Sequence, residues 1–182
     1  MDNHYAINIG RQIGSGGRAV AALVAEEFKI NVYDKKLLKS ASDDSGFSEE
    51  LFVKADEETS RKRLRPFFLS HLTDGGFSRN YMSNESIFKL QSDAIRKIHS
   101  EEDCIFIGRC AGYILRDSDR ILNVFLSASD ADRIQRISDV DGCSERKARS
   151  LMEDADRKRA SYFNYFTGNR WGHSSPYHLC LS

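Results

Sequence analysis

The alternation of apolar and polar positions predicts a strand, a helix and a second strand at the start of the chain. Residues 5–9 form a short β-rich run, and residues 19–25 place apolar side chains on the 3.6-residue period of a helix. A second β-rich run, residues 30–33, follows the helix and leads into Asp34. This order predicts a βαβ unit and therefore a parallel sheet.

The pattern changes in the middle of the chain. Residues 43–58 are acidic without a strand pattern, and a Gly75-Gly76 break separates two runs of helical character. We therefore expect a helical insertion over about residues 40–100. Strand-like runs return at residues 104–107 and 121–126, and both are apolar throughout, as strands buried on two faces should be.

The last third is predicted to be mainly helical. Ser129 is a predicted N-cap, a turn at residues 141–142 follows, and a long polar helix begins near Ser144. A short lid is expected at about residues 137–146, and residues 177–181 are predicted to form a final strand. Strands alternating with helices favour a single doubly wound α/β domain over residues 1–182.

Composition narrows the possible functions. The 27 lysines and arginines balance the 27 aspartates and glutamates, so no global field attracts nucleic acid or a membrane surface. The sequence contains no run typical of a signal peptide or a membrane span, and its four cysteines form no CxxC motif. We expect a cytoplasmic protein without nucleic-acid or membrane partners. The oligomeric state is left open.

A glycine-rich loop joins the first strand to the first helix. It reads Gly-Arg-Gln-Ile-Gly-Ser-Gly-Gly-Arg over residues 10–18, with four glycines in its first eight positions. Glycine lets a backbone approach a ligand closely, and the N–H groups at a helix start attract phosphate. The phosphate-binding residues predicted from this loop are Gly14, Ser15, Gly16, Gly17 and Arg18.

Two classes of ligand fit this loop. Residues 14–19 satisfy the dinucleotide fingerprint GxGxxA, and Asp34 lies where that fold places its ribose-binding acid. An NAD(P)-binding oxidoreductase is therefore one alternative. However, four residues separate the first strand from Gly14, and this longer excursion favours a P-loop.

The P-loop pattern GxxxxGK[ST] is itself incomplete. If Gly16 is its second glycine, Arg11 takes the place of the first glycine and Gly17 takes the place of the lysine. Arg18 then replaces the Ser or Thr that would hold Mg²⁺. We hypothesise that Arg18 supplies the missing cation one position later.

Charged residues elsewhere suit an anionic substrate. Arg109 follows a strand, where ligands of open α/β sheets bind. Arg133 and Arg136 share a helix face and are predicted to neutralise a transferring phosphoryl group. Asp156 suits an amino group of a base, with Arg159 facing phosphate. Solvated, salt-bridged helix surfaces are the alternative interpretation for these residues.

Taken together, these segments resemble the cytidylate kinase-like family. The resemblance rests on Arg-Gln-x-Gly-Ser-Gly-Gly-Arg after the first strand, Tyr-Asp-Lys-Lys-Leu-Leu over 33–38, Gly-Arg-Cys over 108–110, and Arg-Ala-Ser-Tyr-Phe-Asn-Tyr-Phe-Thr-Gly over 159–168 with Trp-Gly at 171–172. It implies a three-layer P-loop fold with a helical insertion for the nucleoside monophosphate and a short lid. The implied reaction transfers phosphate from ATP, with Mg²⁺ carried by the nucleotide, to CMP or dCMP.

The resemblance also assigns roles to residues. Residues 14–18 would form the ATP phosphate loop, Arg109 would match the arginine of a Gly-Arg-Asp motif, and Asp156 with Arg159 would match Asp-x-x-Arg substrate contacts. Arg133 and Arg136 would flank the lid, and we place Asp34 among the substrate-binding residues.

The sequence departs from the family pattern at two points: the P-loop lysine is absent, and Gly-Arg-Asp is Gly-Arg-Cys. A nucleotide-binding pseudo-kinase without turnover is therefore a second alternative, and the metal ligands are not identified.

Overall fold

The computed structural model describes residues 4–34 and 84–182. Within them the elements are β1 (Ala6–Arg11), α1 (Gly17–Phe28), β2 (Asn31–Tyr33), α2 (Asn84–Glu101), β3 (Cys104–Ile107), α3 (Ala111–Ile114), β4 (Ile121–Leu126), α4 (Asp130–Asp141), α5 (Glu145–Thr167) and β5 (Leu179–Leu181).

The five strands form one parallel sheet in the order β2-β3-β1-β4-β5. In this register Ile9 of β1 lies opposite Ile107 of β3 on one side and Val124 of β4 on the other. Strands β2 and β3 lie on one side of β1, and strands β4 and β5 lie on the other side. The carboxyl end of β1 is therefore the topological switch point, where such sheets bind ligands. The predicted parallel α/β sheet is confirmed.

The strand order contradicts the dinucleotide-binding alternative. In that fold β2 lies next to β1, giving the order 3-2-1-4-5-6. Here β3 lies between β1 and β2, so Asp34 does not follow the strand adjacent to β1. The GxGxxA match of the loop therefore occurs in a different fold.

Apolar side chains cover both faces of the sheet. On one face, α1 packs against a cluster that includes Ile9, Ile105 and Val124. On the other face, α2 and α3 bury a second cluster around Phe106, and aromatic residues of α5 pack against it. Burial on both faces explains why β3 is apolar at all four of its positions.

The insertion and the lid stay predictions, and only part of the insertion falls within the described residues. Helix α2 lies within the predicted helical insertion, and residues 40–83 of that insertion lie outside the described residues. In the lid region α4 ends at Asp141, and Ser144 caps α5 by accepting a hydrogen bond from the Lys147 N–H. The two helices pack through a separate apolar cluster that also contacts Ile13 of the glycine loop.

Four strand boundaries differ from the prediction, and two of them differ by two residues. Strand β1 continues to Arg11, because Gly10 and Arg11 still pair with β4. The final strand begins at Leu179 rather than Tyr177, whose N–H instead closes a turn onto the Ser174 carbonyl at 3.0 Å. The first difference matters for the site, since Arg11 is a strand residue and not part of a loop.

Within the described ranges no helix is both long and apolar enough to cross a membrane.

A buried amide pair joins β1 to β4 beneath α3. The Asn8 side-chain amide donates to Asn123 Oδ1 at 3.0 Å, and both residues are buried. Gly112 of α3 leaves no room beyond them: a Cβ there would lie 2.0 Å from Asn123 Oδ1 and 2.8 Å from Asn8 Nδ2. The sheet and α3 can therefore approach this closely only with glycine at position 112.

Replacing Gly112 with alanine is therefore expected to destabilise the fold. Gly112→Ala should lower the free energy of unfolding by about 2–4 kcal/mol, through overpacking and the loss of a buried hydrogen bond. Chemical denaturation measures this change. The control is Gly168→Ala, where a Cβ meets nothing within 4 Å and only the left-handed backbone opposes it; it should cost about 1–2 kcal/mol. Equal losses in the two variants would contradict the packing described for Gly112.

Candidate active site: a glycine loop among arginines

The glycine loop leaves β1 at the switch point and turns sharply into α1. Gly14 and Gly16 adopt left-handed backbone angles, with φ of 76° and 82°. A Cβ on Gly14 would also lie 2.7 Å from the carbonyl oxygen of Arg133, so α4 covers this side of the loop. Ser15 Oγ donates to the Gln12 carbonyl at 2.8 Å and closes the turn from within.

The start of α1 is open to an anion. Its N-cap is Gly16, which offers no side chain to accept from the first N–H groups of the helix. The first helical hydrogen bond comes from the Val20 N–H to the Gly16 carbonyl. The N–H groups of residues 17–19 therefore carry the positive end of the helix dipole without a side-chain cap.

The Asp156 side chain of α5 is hydrogen-bonded to the backbone of the glycine loop. Its Oδ1 accepts from the Ile13 N–H at 2.9 Å, and its Oδ2 accepts from the Arg133 guanidinium. Arg133 also donates through Nε to the Ile13 carbonyl at 2.8 Å, and its side chain is 4% exposed. Both polar groups of the Ile13 backbone are thus fixed by one ion pair between α4 and α5, in which Arg133 is buried and Asp156 is half-buried.

Two further arginines donate to backbone carbonyls around the loop. Arg136 Nη1 lies 2.5 Å from the Gly14 carbonyl oxygen, and Arg159 Nη1 lies 3.1 Å from that of Arg11. Burial is the main reason that the pKa of Arg159 is lowered, and Asp156 partly opposes it. These two hydrogen bonds hold the guanidinium groups of Arg136 and Arg159 at the edge of the loop.

Asp34 joins the remaining arginines at the other side of the loop. Arg18 donates through Nε to Asp34 Oδ2 at 2.9 Å, and Arg11 Nη2 lies 3.8 Å from Asp34 Oδ1. The Arg18 side chain is 66% exposed, whereas that of Arg11 is 16% exposed. Asp34 therefore balances one exposed and one nearly buried guanidinium at once.

The turn after β3 brings Arg109 towards the same place. Gly108, Arg109 and Cys110 are three consecutive residues with φ between 58° and 74°. This backbone costs about 1–2 kcal/mol for each residue that is not glycine, and such strain concentrates at functional sites. Arg109 is near enough to Arg11 to lower the pKa of that guanidinium.

Among the described residues, the arginines that contact the loop outnumber the carboxylates that pair with them. The arginines are Arg11, Arg18, Arg133, Arg136 and Arg159, and the carboxylates are Asp34, Asp130 and Asp156. Uncapped N–H groups and guanidinium groups around a glycine turn are the chemistry that binds phosphate oxygens.

Comparisons with known proteins agree with this geometry. The model of the cytidylate kinase-like family matches residues 6–182. The chain belongs to the cytidylate kinase-like family. A cytidylate kinase from Methanoculleus marisnigri is 31% identical over 108 residues, which are 59% of this chain and 58% of that protein. The match thus spans less than two thirds of that relative.

Solved structures place the fold of this cytidylate kinase-like chain among the P-loop kinases. An uncharacterized protein from Eubacterium ventriosum has a TM-score of 0.68 at 26% identity, with 97% of this chain and 86% of that chain covered. Shikimate kinase from Bacteroides thetaiotaomicron has a TM-score of 0.53 at 10% identity, with 97% and 85% covered. The second likeness shows the fold alone, and with the sheet order it confirms the predicted P-loop kinase fold.

The structure brings the sequence-predicted residues of this family member together but gives several of them partners within the chain. Both oxygens of Asp156 bind protein groups, and Arg133 is buried against Ile13. Arg18 lies at the loop, paired with Asp34. The roles proposed for these residues towards a nucleotide remain predictions.

Sequence reasoning names Arg11 only as an alternative to Arg18 for the phosphate charge and not among the predicted site residues. Its side chain lies against Gly17 and Gly108, between the starts of α1 and α3. The available signal was its position at the end of a strand, immediately before the glycine turn. That signal was obscured because the predicted strand ended two residues too early.

The described residues identify no protein ligand for Mg²⁺ beside the loop. In residues 4–34 and 84–182 no three or more His, Cys, Asp or Glu side chains are grouped to hold a metal ion. Ser15 Oγ is bonded to the Gln12 carbonyl, and the position that would carry the P-loop hydroxyl is Arg18. The expectation that Mg²⁺ arrives with the nucleotide stays a prediction.

Removing the charge of Asp156 should loosen the loop. Asp156→Asn leaves the buried guanidinium of Arg133 without its main counter-charge, which is expected to cost about 3 kcal/mol of stability. Chemical denaturation tests this. Asp154→Asn is the matched control on the same helix, since Asp154 pairs with Arg157 in an exposed ion pair, and such pairs contribute about 0–1 kcal/mol. If both variants unfold at the same denaturant concentration, Asp156 does not stabilise the loop through Ile13 and Arg133.

Proposed function

We propose that this protein transfers the γ-phosphoryl group of ATP to a nucleoside monophosphate, CMP or dCMP. The observation that carries the proposal is the start of α1, which follows a glycine turn and has no side-chain cap. Among the described residues, the arginines around it outnumber their carboxylate partners. Membership of the cytidylate kinase-like family supports the same reaction class.

On the donor side, the backbone of residues 14–18 would hold the β- and γ-phosphates of ATP. Arg18 would leave Asp34 to contact these phosphates, because a guanidinium exchanges a carboxylate for a phosphate readily. Arg136 lies over Gly16, where a Cβ would be 3.1 Å from its Nη1, and would neutralise charge on the transferring group. Arg133 would serve the same step by keeping α4 against the loop.

On the acceptor side, Arg109 and Arg159 would hold the phosphate of CMP, with Asp34 and Asp156 as further substrate contacts. An oxygen of that phosphate attacks the γ-phosphorus of ATP, the bond from this phosphorus to the β–γ bridging oxygen breaks, and ADP leaves with the electron pair. A phosphate oxygen is already nucleophilic, so positioning and charge neutralisation account for catalysis without a general base.

Nucleotide binding without turnover is the second candidate function. It is favoured by Gly17, which stands where a P-loop kinase carries its lysine. The two candidates share one binding site and differ only in whether product forms.

A ligand panel tests the proposal by stability. Saturating ATP, and separately CMP or dCMP, should raise the midpoint of thermal unfolding, because ligands that bind only the folded state stabilise it. At a hundred times the dissociation constant the gain is about 2.7 kcal/mol, or about 5–10 °C for a chain of this size. UMP, AMP and NAD are the comparison ligands.

Product analysis then separates the two candidates. Formation of ADP together with CDP or dCDP supports the kinase, while shifts with no product support the binding protein. A shift by NAD with none by ATP or CMP would contradict both.

Arg18→Ala tests the exposed cation. Loss of a charge-assisted contact of about 1.5–3 kcal/mol should weaken ATP binding by about ten- to hundredfold, while the fold stays stable because this side chain is mostly exposed. Arg18→Lys should recover part of the loss. Arg157→Ala removes an equally exposed arginine of α5 and should bind ATP like the parent. Parent-like affinity of Arg18→Ala would remove Arg18 from the phosphate site.

A further inference from the structure

The absence of a side chain at position 17 has a steric cause. A Cβ built on Gly17 would lie 2.9 Å from both Cβ and Cγ of Arg11, closer than real side chains approach. Rotation about the Cα–Cβ bond can move Cγ, but the strand backbone fixes Cβ, which cannot move without it. A lysine at position 17 therefore requires the strand or the start of α1 to shift as long as Arg11 is present.

The Arg11 guanidinium continues from that contact towards the switch point. A Cβ on Gly108 would lie 2.1 Å from Arg11 Nη1, so the group extends across the end of β3. Arg11 thus fills the space between two glycines, Gly17 at the start of α1 and Gly108 after β3. Its backbone carbonyl at the same time accepts from Arg159.

The electrostatic surroundings of Arg11 favour an anion. Among the described residues Asp34 is the carboxylate within ion-pair distance, at 3.8 Å, and Arg18 shares it at 2.9 Å. Burial and the neighbouring Arg159 lower the pKa of Arg11 to about 10, so it remains a cation at neutral pH. A nearly buried guanidinium among other arginines is stabilised by a further negative group.

We propose that Arg11 is the phosphate-binding cation of this loop and takes the place of the P-loop lysine from the opposite side of the turn. Two of the three departures from the P-loop pattern are then one exchange: arginine replaces the first glycine, and glycine replaces the lysine. Arg11 contacts the phosphates from the strand side, and Arg18 contacts them from the solvent side. The proposal rests on the proposed binding of ATP at this loop.

A reciprocal exchange tests it. Arg11→Gly should weaken ATP binding by about ten- to hundredfold, the loss expected for one charge-assisted contact. Gly17→Lys alone should lower the thermal unfolding midpoint, because the lysine stem meets that of Arg11. The double variant Arg11→Gly with Gly17→Lys removes the obstruction and restores a cation, so it should regain both stability and most of the ATP affinity. Calorimetric titration with ATP and thermal unfolding measure the two effects.

Arg11→Gln separates charge from packing. It keeps a stem between Gly17 and Gly108 but removes the cation, so it should stay folded and lose ATP affinity, whereas Arg11→Lys should retain part of it. Arg157→Ala is the control for removal of an arginine outside the site.

Three outcomes would overturn the inference. If a folded Arg11→Gln or Arg11→Gly variant binds ATP as tightly as the parent, this inference is overturned and the proposed function stays intact. If the double variant folds without regaining ATP affinity, the inference is overturned even where the single variants fail to fold. Failure of the parent to bind ATP would overturn the proposed function and this inference together, and the titration of the parent identifies that case first.

Discussion

The contact between Asp156 and the glycine loop determines how the rest of the site is arranged. One carboxylate accepts from the Ile13 N–H and from the buried guanidinium of Arg133, which in turn donates to the Ile13 carbonyl. The loop is thereby joined to both helices of the predicted lid region. Any rearrangement of α4 and α5 must move the backbone of the glycine loop or break an ion pair whose arginine is buried, which is costly.

The second constraint is that, among the described residues, the arginines around the loop outnumber the carboxylates that pair with them. Arginines from β1, α1, α4, α5 and the turn after β3 meet at the carboxyl end of β1. Guanidinium groups held this close repel one another, and Asp34 and Asp156 offset only part of that repulsion. A polyphosphate is the ligand class whose charge and oxygen geometry fit such a place.

Much of this arrangement is predictable from local sequence, and the limits have physical reasons. Local sequence predicts the glycine loop, the helix caps at Ser129 and Ser144, and the apolar strands, because each depends on residues that are neighbours in the chain. The pairing of Asp156 with Ile13 joins residues 143 positions apart, and no local pattern encodes it. The register of β1 with β4 likewise extends the strand to Arg11, so a residue that resembled a loop arginine belongs to the sheet. The reason for glycine at position 17 is its close approach to the Arg11 side chain, which the sequence alone does not reveal.

A crystal structure of the protein with a non-hydrolysable ATP analogue tests the central claim most directly, because it locates the phosphates relative to the loop. The account predicts the β- and γ-phosphates against the N–H groups of residues 14–18, with the Arg11 guanidinium within hydrogen-bond distance of a phosphate oxygen. An analogue bound elsewhere, with the loop empty at saturating concentration, would contradict it.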